Sequence, residues 1–208
     1  MMFIAGDGRL WAHRLDEYLQ AARLAIDPER VQLELDLTPG MALAPALLTD
    51  IDPNRDGSVS DGEQQTYSRL VIGALELAVD GTPVPLQLAT ATFPATDAIG
   101  RGEGTVQLRA TAMLPPLGNG VHHLTFRNRH HPDRSVYLAN ALVPESNAVA
   151  ITAQRRDGDQ SALTIDYELR HTPGTSRAAW LLSGIALASL LLATGVRVVR
   201  RRPRTGSR

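Results

Sequence analysis

The stretch Val31–Thr38 reads VQLELDLT, and its strict alternation of apolar and polar residues decides the fold. A period of two is typical of a β-strand that buries one face and leaves the other in solvent. The preceding run, Tyr18–Ile26, also reads as an extended strand, and the DPER sequence of residues 27–30 predicts a turn after it. The domain is therefore predicted to begin with two strands joined by a short turn.

Further strands are predicted along the rest of the domain, with turn signals such as Asp80-Gly81 and Asp157-Gly158 between them. These strands are Leu75–Val79, Val84–Phe93, Thr105–Met113, Val121–Asn128, Ser135–Val143, Ala148–Gln154 and Leu163–Arg170. About eight or nine short strands separated by turns favour a mainly β fold. We expect an antiparallel β-sandwich of the immunoglobulin-like type over residues 13–172.

Residues 41–76 depart from this β pattern. Pro39-Gly40 ends the second strand, and the Ala- and Leu-rich run Ala42–Asp50 favours a short helix with Pro45 in its first turn. From Glu63 onward, apolar residues recur at the spacing of one helix face. They are Tyr67, Leu70, Val71, Ala74 and Leu75. A helix–loop–helix unit is therefore predicted to be inserted into the sandwich.

The loop of this insertion, residues 52–63, reads DPNRDGSVSDGE and matches the pattern D-x-[DN]-x-[DN]-G-x₅-E at every position. It resembles the calcium-binding loop of the EF-hand family, which also lies between two helices. Ca²⁺ is a hard cation that takes about six to eight oxygen ligands, and Gly57 permits the sharp bend that brings them together. The metal ligands that the resemblance implies are Asp52, Asn54, Asp56, the backbone carbonyl of Ser58, Ser60 directly or through water, and the bidentate carboxylate of Glu63.

The ligand types and the single copy of the loop narrow its role. All the ligands are oxygens, which disfavours zinc, copper and nickel, and Mg²⁺ demands a smaller octahedral site. Calcium sensors use paired loops that open together, whereas this chain has no second loop of the type. We therefore expect a structural calcium site. The alternatives are a polar turn that binds nothing and, as a minor case, dimerisation through Val59, the residue that joins paired loops.

A hydrophobic segment near the C-terminus predicts a membrane anchor. Ala178–Val196 contains 19 residues without a charge, which as a helix spans roughly 28 Å, close to the thickness of the bilayer interior. We assign a linker to residues 173–177, a transmembrane helix to 178–199 and an Arg-rich cytoplasmic tail to 200–208, because arginines beside a membrane helix stay inside the cell. A buried core helix is the alternative. The anchor predicts a single-pass protein of the cell membrane with an extracytoplasmic N-terminal domain.

Export of that domain requires a signal, and residues 1–12 lack a full apolar signal-peptide core. We expect them to be the remnant of a signal peptide whose beginning lies upstream. In the alternative, the domain stays in the cytoplasm, against the arginine bias.

Charge and composition exclude several classes of function. Residues 1–176 hold all 22 acidic residues and 14 arginines, a formal charge of −8, whereas residues 177–208 hold 7 arginines and no acid, +7. An acidic domain disfavours nucleic-acid binding. The absence of cysteine excludes thiol catalysis, zinc-thiolate sites and disulfides. No catalytic or nucleotide-binding motif is present, so we expect neither an enzyme nor a small-molecule substrate.

Two histidine pairs, His122-His123 and His130-His131, form a second candidate metal site. Imidazole is a common ligand of transition metals. Neighbours in a strand point to opposite faces, however, so at most one histidine of each pair faces a common site. Exposed loop histidines are the alternative, and the sequence does not decide between the two.

Three segments resemble extracytoplasmic β domains of bacterial membrane proteins that contain one EF-hand. They are His13–Gln20 (HRLDEYLQ), Val31–Gly40 (VQLELDLTPG) and His131–Pro144 (HPDRSVYLANALVP). The resemblance covers about residues 13–170 and extends to the extensions of some nickel/cobalt permeases and of hydrogenase/urease accessory permeases. Those permeases have several membrane helices, whereas this chain has one predicted helix, which cannot line a transport pathway alone.

These observations predict a calcium-binding, membrane-anchored extracytoplasmic domain with a structural or interaction role. The alternative is an accessory subunit of a nickel/cobalt-type metal-ion transport system. Such a subunit would present a metal through its histidines and dock against a multi-helix membrane partner.

Overall fold

Strands with one apolar face need a second layer to cover it, and this chain provides that layer with a second β-sheet. The computed structural model describes residues 17–170, within which ten strands form two five-stranded sheets. The strands are β1 (Tyr18–Ile26), β2 (Arg30–Pro39), β3 (Leu75–Val79), β4 (Thr82–Pro83), β5 (Gln87–Thr92), β6 (Val106–Met113), β7 (Gly120–Asn128), β8 (Ser135–Ala141), β9 (Val149–Arg156) and β10 (Ala162–Leu169). The helices are α1 (Ala44–Ile51), α2 (Asp61–Gly73) and α3 (Thr96–Gly100).

The first sheet has the strand order β5-β6-β2-β1-β8, and the second has the order β4-β3-β7-β10-β9. This arrangement confirms the predicted mainly β fold with two sheets. The prediction of purely antiparallel pairing was wrong at one place, because β1 and β8 run parallel, with Leu24 opposite Ala141. Alternation within a strand indicates which face is buried but not the direction in which a distant partner runs, so the sequence could not show this pairing.

The inner faces of the two sheets contribute to one hydrophobic core. Its innermost residues include Val31, Leu33, Leu35 and Leu37 of β2 and Leu163, Ile165, Tyr167 and Leu169 of β10. Each buried aliphatic side chain stabilises the fold by about 1.5–3 kcal/mol. The same core includes Leu47 and Ile51 of α1 and Tyr67 of α2, so the inserted helices pack on the sandwich core.

The two helices of the insertion form where the sequence predicts them. Pro45 lies in the first turn of α1, where a missing backbone N–H costs no helical hydrogen bond. Helix α2 begins with a capping box at Ser60 and ends at Gly73, so Leu75, predicted on its apolar face, instead begins β3. Leu70 was also placed on that face, but its side chain is 54% exposed.

The segment from Thr82 to Gly100 differs most from its prediction. The predicted strand Val84–Phe93 is confined to β5, because Pro85 cannot donate to a β-ladder. Helix α3, which follows β5, was not predicted, since five residues are too few to show a helical period.

Several predictions lie outside the described residues. They concern the signal-peptide remnant 1–12, the linker 173–177, the transmembrane helix 178–199 and the tail 200–208. Within residues 17–170, no helix combines the length and apolar character needed to cross a membrane.

Candidate metal centre

Residues 52–63, named here the metal loop, connect the end of α1 to the start of α2. Asp52 is the C-cap residue of α1, and its backbone N–H donates to the Leu48 carbonyl at 2.7 Å. Ser60 is the N-cap of α2. Both ends of the loop are therefore held by helices that are themselves packed against the core.

The side chains at the first, third and fifth loop positions accept hydrogen bonds from the loop's own backbone. Asp52 Oδ2 accepts from Gly57 N–H at 3.0 Å, and Asn54 Oδ1 accepts from Asp56 N–H at 2.9 Å. Asp56 Oδ1 accepts from the Ser58 hydroxyl at 2.8 Å and from its N–H at 2.9 Å. These bonds from Ser58 hold the pKa of Asp56 below its usual value. The three side chains therefore turn their oxygens toward the loop.

The bend in the loop depends on a left-handed backbone at Gly57, whose φ is 82°. A Cβ at this position would meet no atom within 4 Å, so the conformation and not the space favours glycine. Arg55 also has a positive φ, 57°, which is uncommon for a residue with a Cβ. The tight turn that the motif predicts is thus present.

Glu63, the last predicted ligand, is engaged at the start of α2. Its Oε2 accepts from the Ser60 backbone N–H at 2.9 Å and from the Ser60 hydroxyl at 2.7 Å, and this completes the capping box. Within residues 17–170, no group of three or more His, Cys, Asp or Glu side chains is arranged so that it could hold a metal ion. The acidic ligands therefore stand in one loop without converging on one point.

Asp52 has a carboxylate oxygen that the rest of the described chain leaves unsatisfied. The residue is 6% exposed, and its Oδ1 is buried without a hydrogen-bond partner in residues 17–170. An unpaired buried carboxylate oxygen is costly, because it loses water and gains nothing in return. A hard cation would satisfy this oxygen, and the oxygen-only donor set around it suits Ca²⁺. The donor atoms of the loop therefore fit the implied metal in chemical type, although they do not converge on one point.

The metal loop is anchored by contacts within the chain. Val59 packs against the core, and its carbonyl accepts from Gln64 Nε2 at 3.0 Å. The Thr96 hydroxyl donates to the Gly57 carbonyl at 2.6 Å. Because Val59 is used inside its own domain, the packing disfavours the predicted alternative of dimerisation through this residue.

The two histidine pairs lie at opposite ends of β7 and do not form one site. His122 and His123 lie near its beginning, and His130 and His131 follow its end at Asn128. Six residue steps of strand from His122 to Asn128 separate them by roughly 20 Å. His122 contacts Asp80 and His123 contacts Asp166, whereas His130 is buried.

A buried polar network was missed by the sequence analysis. Its members are Tyr18, Gln20, Tyr67, Asn128, His130 and Tyr137, each no more than 4% exposed. Gln20 donates to the His130 carbonyl at 2.8 Å and accepts from Asn128 Nδ2 at 2.8 Å. One signal could have found it: Gln20 is in phase with the inward-facing residues of β1, where a polar side chain needs a buried partner.

Tyr67 connects the insertion to this network. Its hydroxyl is 2.7 Å from the Tyr18 hydroxyl and 3.4 Å from His130 Nε2. Burial raises the pKa of Tyr67 to about 12, so the phenol stays neutral. Since Tyr67 lies four residues after Glu63 on the same helix, α2 joins the metal loop to the interior of the sandwich.

Comparison of the chain with protein-family models, with curated proteins and with solved structures gives no match.

Proposed function

We propose that the metal loop binds one Ca²⁺ and that the ion has a structural role in a membrane-anchored extracytoplasmic domain. The observation that carries this proposal is Asp52 Oδ1, a buried carboxylate oxygen without a hydrogen-bond partner in the described chain. It belongs to a loop whose other side chains present oxygens, and a cation is the partner that such an oxygen lacks.

The ligands in this proposal are the six residues that the sequence predicts. They are Asp52, Asn54, Asp56, the Ser58 carbonyl, Ser60 and Glu63. Bound Ca²⁺ would supply a fixed double positive charge inside the loop. Glu63 is the residue that must change most, because its Oε2 is engaged with Ser60 in the capping box.

A structural role is favoured over a sensor role by the packing of α2. Tyr67 and Val71 of this helix are buried in the core that both sheets share. A sensor must open its helices to expose a groove, and here opening would break the core and the Tyr18–Tyr67 contact. An ion that links two anchored helix ends instead stabilises the insertion.

The membrane anchor, the compartment and the immunoglobulin-like connectivity are parts of the same proposal. The anchor and the compartment are supported by the uncharged run Ala178–Val196 and by the arginines after it, which are typical of a cytoplasmic flank. The immunoglobulin-like type is supported by the two five-stranded sheets that share one core. The domain would act by binding or interaction and not by catalysis. The accessory-subunit alternative needs a metal-capturing site of its own, and the separation of the two histidine pairs along β7 does not favour one.

The proposal is tested by calorimetric titration of Ca²⁺ into the full chain in detergent micelles. We expect the wild type to release or absorb heat and to melt at a higher temperature with millimolar Ca²⁺. The double variant Asp52→Ala/Glu63→Gln should lose both effects. Asp61→Asn is the matched control, because it removes a charge from the loop at a position that supplies no ligand, and it should behave like the wild type.

Two further measurements keep the result clear. Far-UV circular dichroism shows whether the double variant is folded. If it is unfolded, the single variant Glu63→Gln, which can still form the capping box, replaces it in the titration. Titration with Mg²⁺ separates a calcium-sized site from a smaller octahedral one. Absence of both heat and a melting shift in the wild type would refute calcium binding.

A further inference from the structure

The β5–β6 connection, residues 93–105, lies against both helices and the loop of the insertion. Its Thr96 hydroxyl donates to the Gly57 carbonyl in the metal loop at 2.6 Å. Its Phe93 ring contacts the Tyr67 ring of α2 at a centroid distance of 6.1 Å, edge to face. Three consecutive parts of the insertion, α1, the loop and α2, therefore meet one segment from elsewhere in the chain.

The β5–β6 connection is closely packed against the core and the insertion. Ile99 is fully buried in the core. Gly102 has a φ of 71°, and a Cβ there would lie 2.9 Å from the Met41 backbone nitrogen, just before α1. A Cβ at Gly104 would lie 2.8 Å from both Ile99 N and Pro94 Cγ. Contacts this close leave no space for a side chain, so the backbone that presents Thr96 is held in one place.

A hydrogen bond to the Gly57 carbonyl has a direct consequence for the proposed ligands. The carbonyl belongs to the peptide plane that joins Gly57 to Ser58, so the Thr96 bond fixes the orientation of that plane. The Ser58 carbonyl, a proposed ligand, is one peptide further along. A Gly57–Ser58 plane that is fixed before the ion arrives restricts where the Ser58 carbonyl can lie, and this lowers the ordering cost of binding.

In proteins with paired calcium loops each loop stabilises the other, whereas this chain has a single loop of the type. We propose that the β5–β6 connection takes the place of a partner loop and that Thr96 is a positioning residue that increases calcium affinity. This inference rests on the proposed function of the metal loop. A segment of the β-sandwich would thus contribute to calcium binding although it lies outside the loop motif.

The test compares Thr96→Val with Thr96→Ser in the full chain by calorimetric titration of Ca²⁺. Valine keeps the shape of threonine and removes the hydroxyl, whereas serine keeps the hydroxyl. Loss of one hydrogen bond that orders the site should raise the Kd of Thr96→Val about three- to tenfold. Thr96→Ser should bind with a Kd close to that of the wild type.

A purely architectural role for Thr96 predicts a different result. Thr96→Val would then melt at a lower temperature without Ca²⁺ but would bind the ion with the wild-type Kd, and this outcome would overturn the inference while leaving the calcium site intact. If the wild type gives neither binding heat nor a melting shift with Ca²⁺, the proposed function fails and the inference with it. The two failures are therefore distinguishable in one set of titrations.

Discussion

The two ends of strand β7 carry the same residue pair in opposite electrostatic settings. At the first end, His122 Nδ1 lies 2.7 Å from Asp80 Oδ2 and Nε2 lies 2.9 Å from the Gly118 carbonyl. Both partners only accept hydrogen bonds, so both ring nitrogens must donate, which requires the charged imidazolium. The hydrogen bond that His122 donates to Asp80 raises the pKa of His122, against the opposing effect of burial.

At the other end, His130 is buried and neutral. Burial lowers its pKa to about 3, and the charges of His131 and Arg134 act in the same direction. Its backbone carbonyl accepts hydrogen bonds from Gln20 Nε2 and the Tyr137 hydroxyl, whereas its ring faces Tyr18 and Tyr67. His130 is thus a core residue that organises a polar network.

The comparison teaches that the charge of each histidine depends on the packing around its ring, to which segments far away in the sequence contribute. Asp80 is 42 residues from His122, and Tyr67, whose ring packs against the buried ring of His130, is 63 residues from His130. Neither relation is visible in the local sequence, where the two pairs look alike. A motif search would treat the two pairs as one cluster, but the fold shifts the pKa values of His122 and His130 in opposite directions.

The largest effect is expected from breaking the buried end with Gln20→Ala. This change leaves the Asn128 amide without its acceptor and removes a donor to the His130 carbonyl and to Ser135 Oγ. Loss of buried hydrogen bonds together with a small cavity should lower the free energy of unfolding by about 2–4 kcal/mol. Denaturation of the full chain in detergent with urea, followed by circular dichroism, measures the change.

Gln32→Ala on the neighbouring strand is the matched control. Gln32 is exposed, and its side chain donates to the Asp27 carboxylate, so its loss should cost less than about 0.5 kcal/mol. Equal losses for the two glutamine variants would mean that the buried network contributes nothing beyond its packing.

A second prediction sharpens the comparison by following protonation at both ends. In an NMR titration of the side chains, His130 should stay neutral down to about pH 4, whereas His122 should keep its proton above the ordinary pKa of 6.5. The unfolded chain protonates His130 near pH 6.5, so His130 lowers stability as pH falls from there toward about 3, on the order of 2 kcal/mol by pH 4.5. The stabilising contribution of His122 is instead complete below 6.5 and is lost as pH rises through its raised pKa. Midpoints near 6.5 for both rings would remove the distinction.

Local features of this fold were predictable from sequence, and non-local ones were not. The strands Tyr18–Ile26 and Leu75–Val79 have their predicted bounds, because alternation is a property of the strand itself. The turn of the metal loop was also predictable, since its hydrogen bonds join residues two to five apart. The parallel pairing of β1 with β8 and the polar network join residues about a hundred apart, and only the assembled sheets bring them together.

The contact between Thr96 and the metal loop lies between the predictable local features and the unpredictable non-local ones. Thr96 lies in a five-residue helix that shows no periodicity, and its contact with Gly57 spans 39 residues. The sequence therefore identifies the loop but not the segment that holds it. The same limit explains why Glu63, assigned by its loop position, is found in the capping box with Ser60: the motif names the ligands of a bound ion and not their contacts without one.

The smallest effect is expected at the charged end of β7, from Asp80→Asn. Asparagine tolerates the positive φ of 50° at this position, as aspartate does, so the turn is preserved. The change removes the negative charge that keeps His122 protonated and should shift the pKa of His122 back toward 6.5. Since Asp80 is 41% exposed, solvent weakens the pair, and we expect a loss of about 1 kcal/mol at about pH 5.5.

The pH dependence of that loss decides whether charge is the cause. Below pH 6.5, wild-type His122 is protonated in both the folded and the unfolded chain, and in the folded chain it keeps its full attraction to Asp80. Above its raised folded pKa, His122 is neutral, and an aspartate then stabilises the folded chain little more than an asparagine does. The cost of Asp80→Asn should therefore shrink when unfolding is measured at about pH 9. It should also vanish at both pH values in a His122→Gln background, because the double-mutant cycle then contains no charged partner. Asparagine keeps an oxygen that can accept from the His123 backbone N–H, so a cost that is equal at both pH values would mean that the charge of His122 is not its cause.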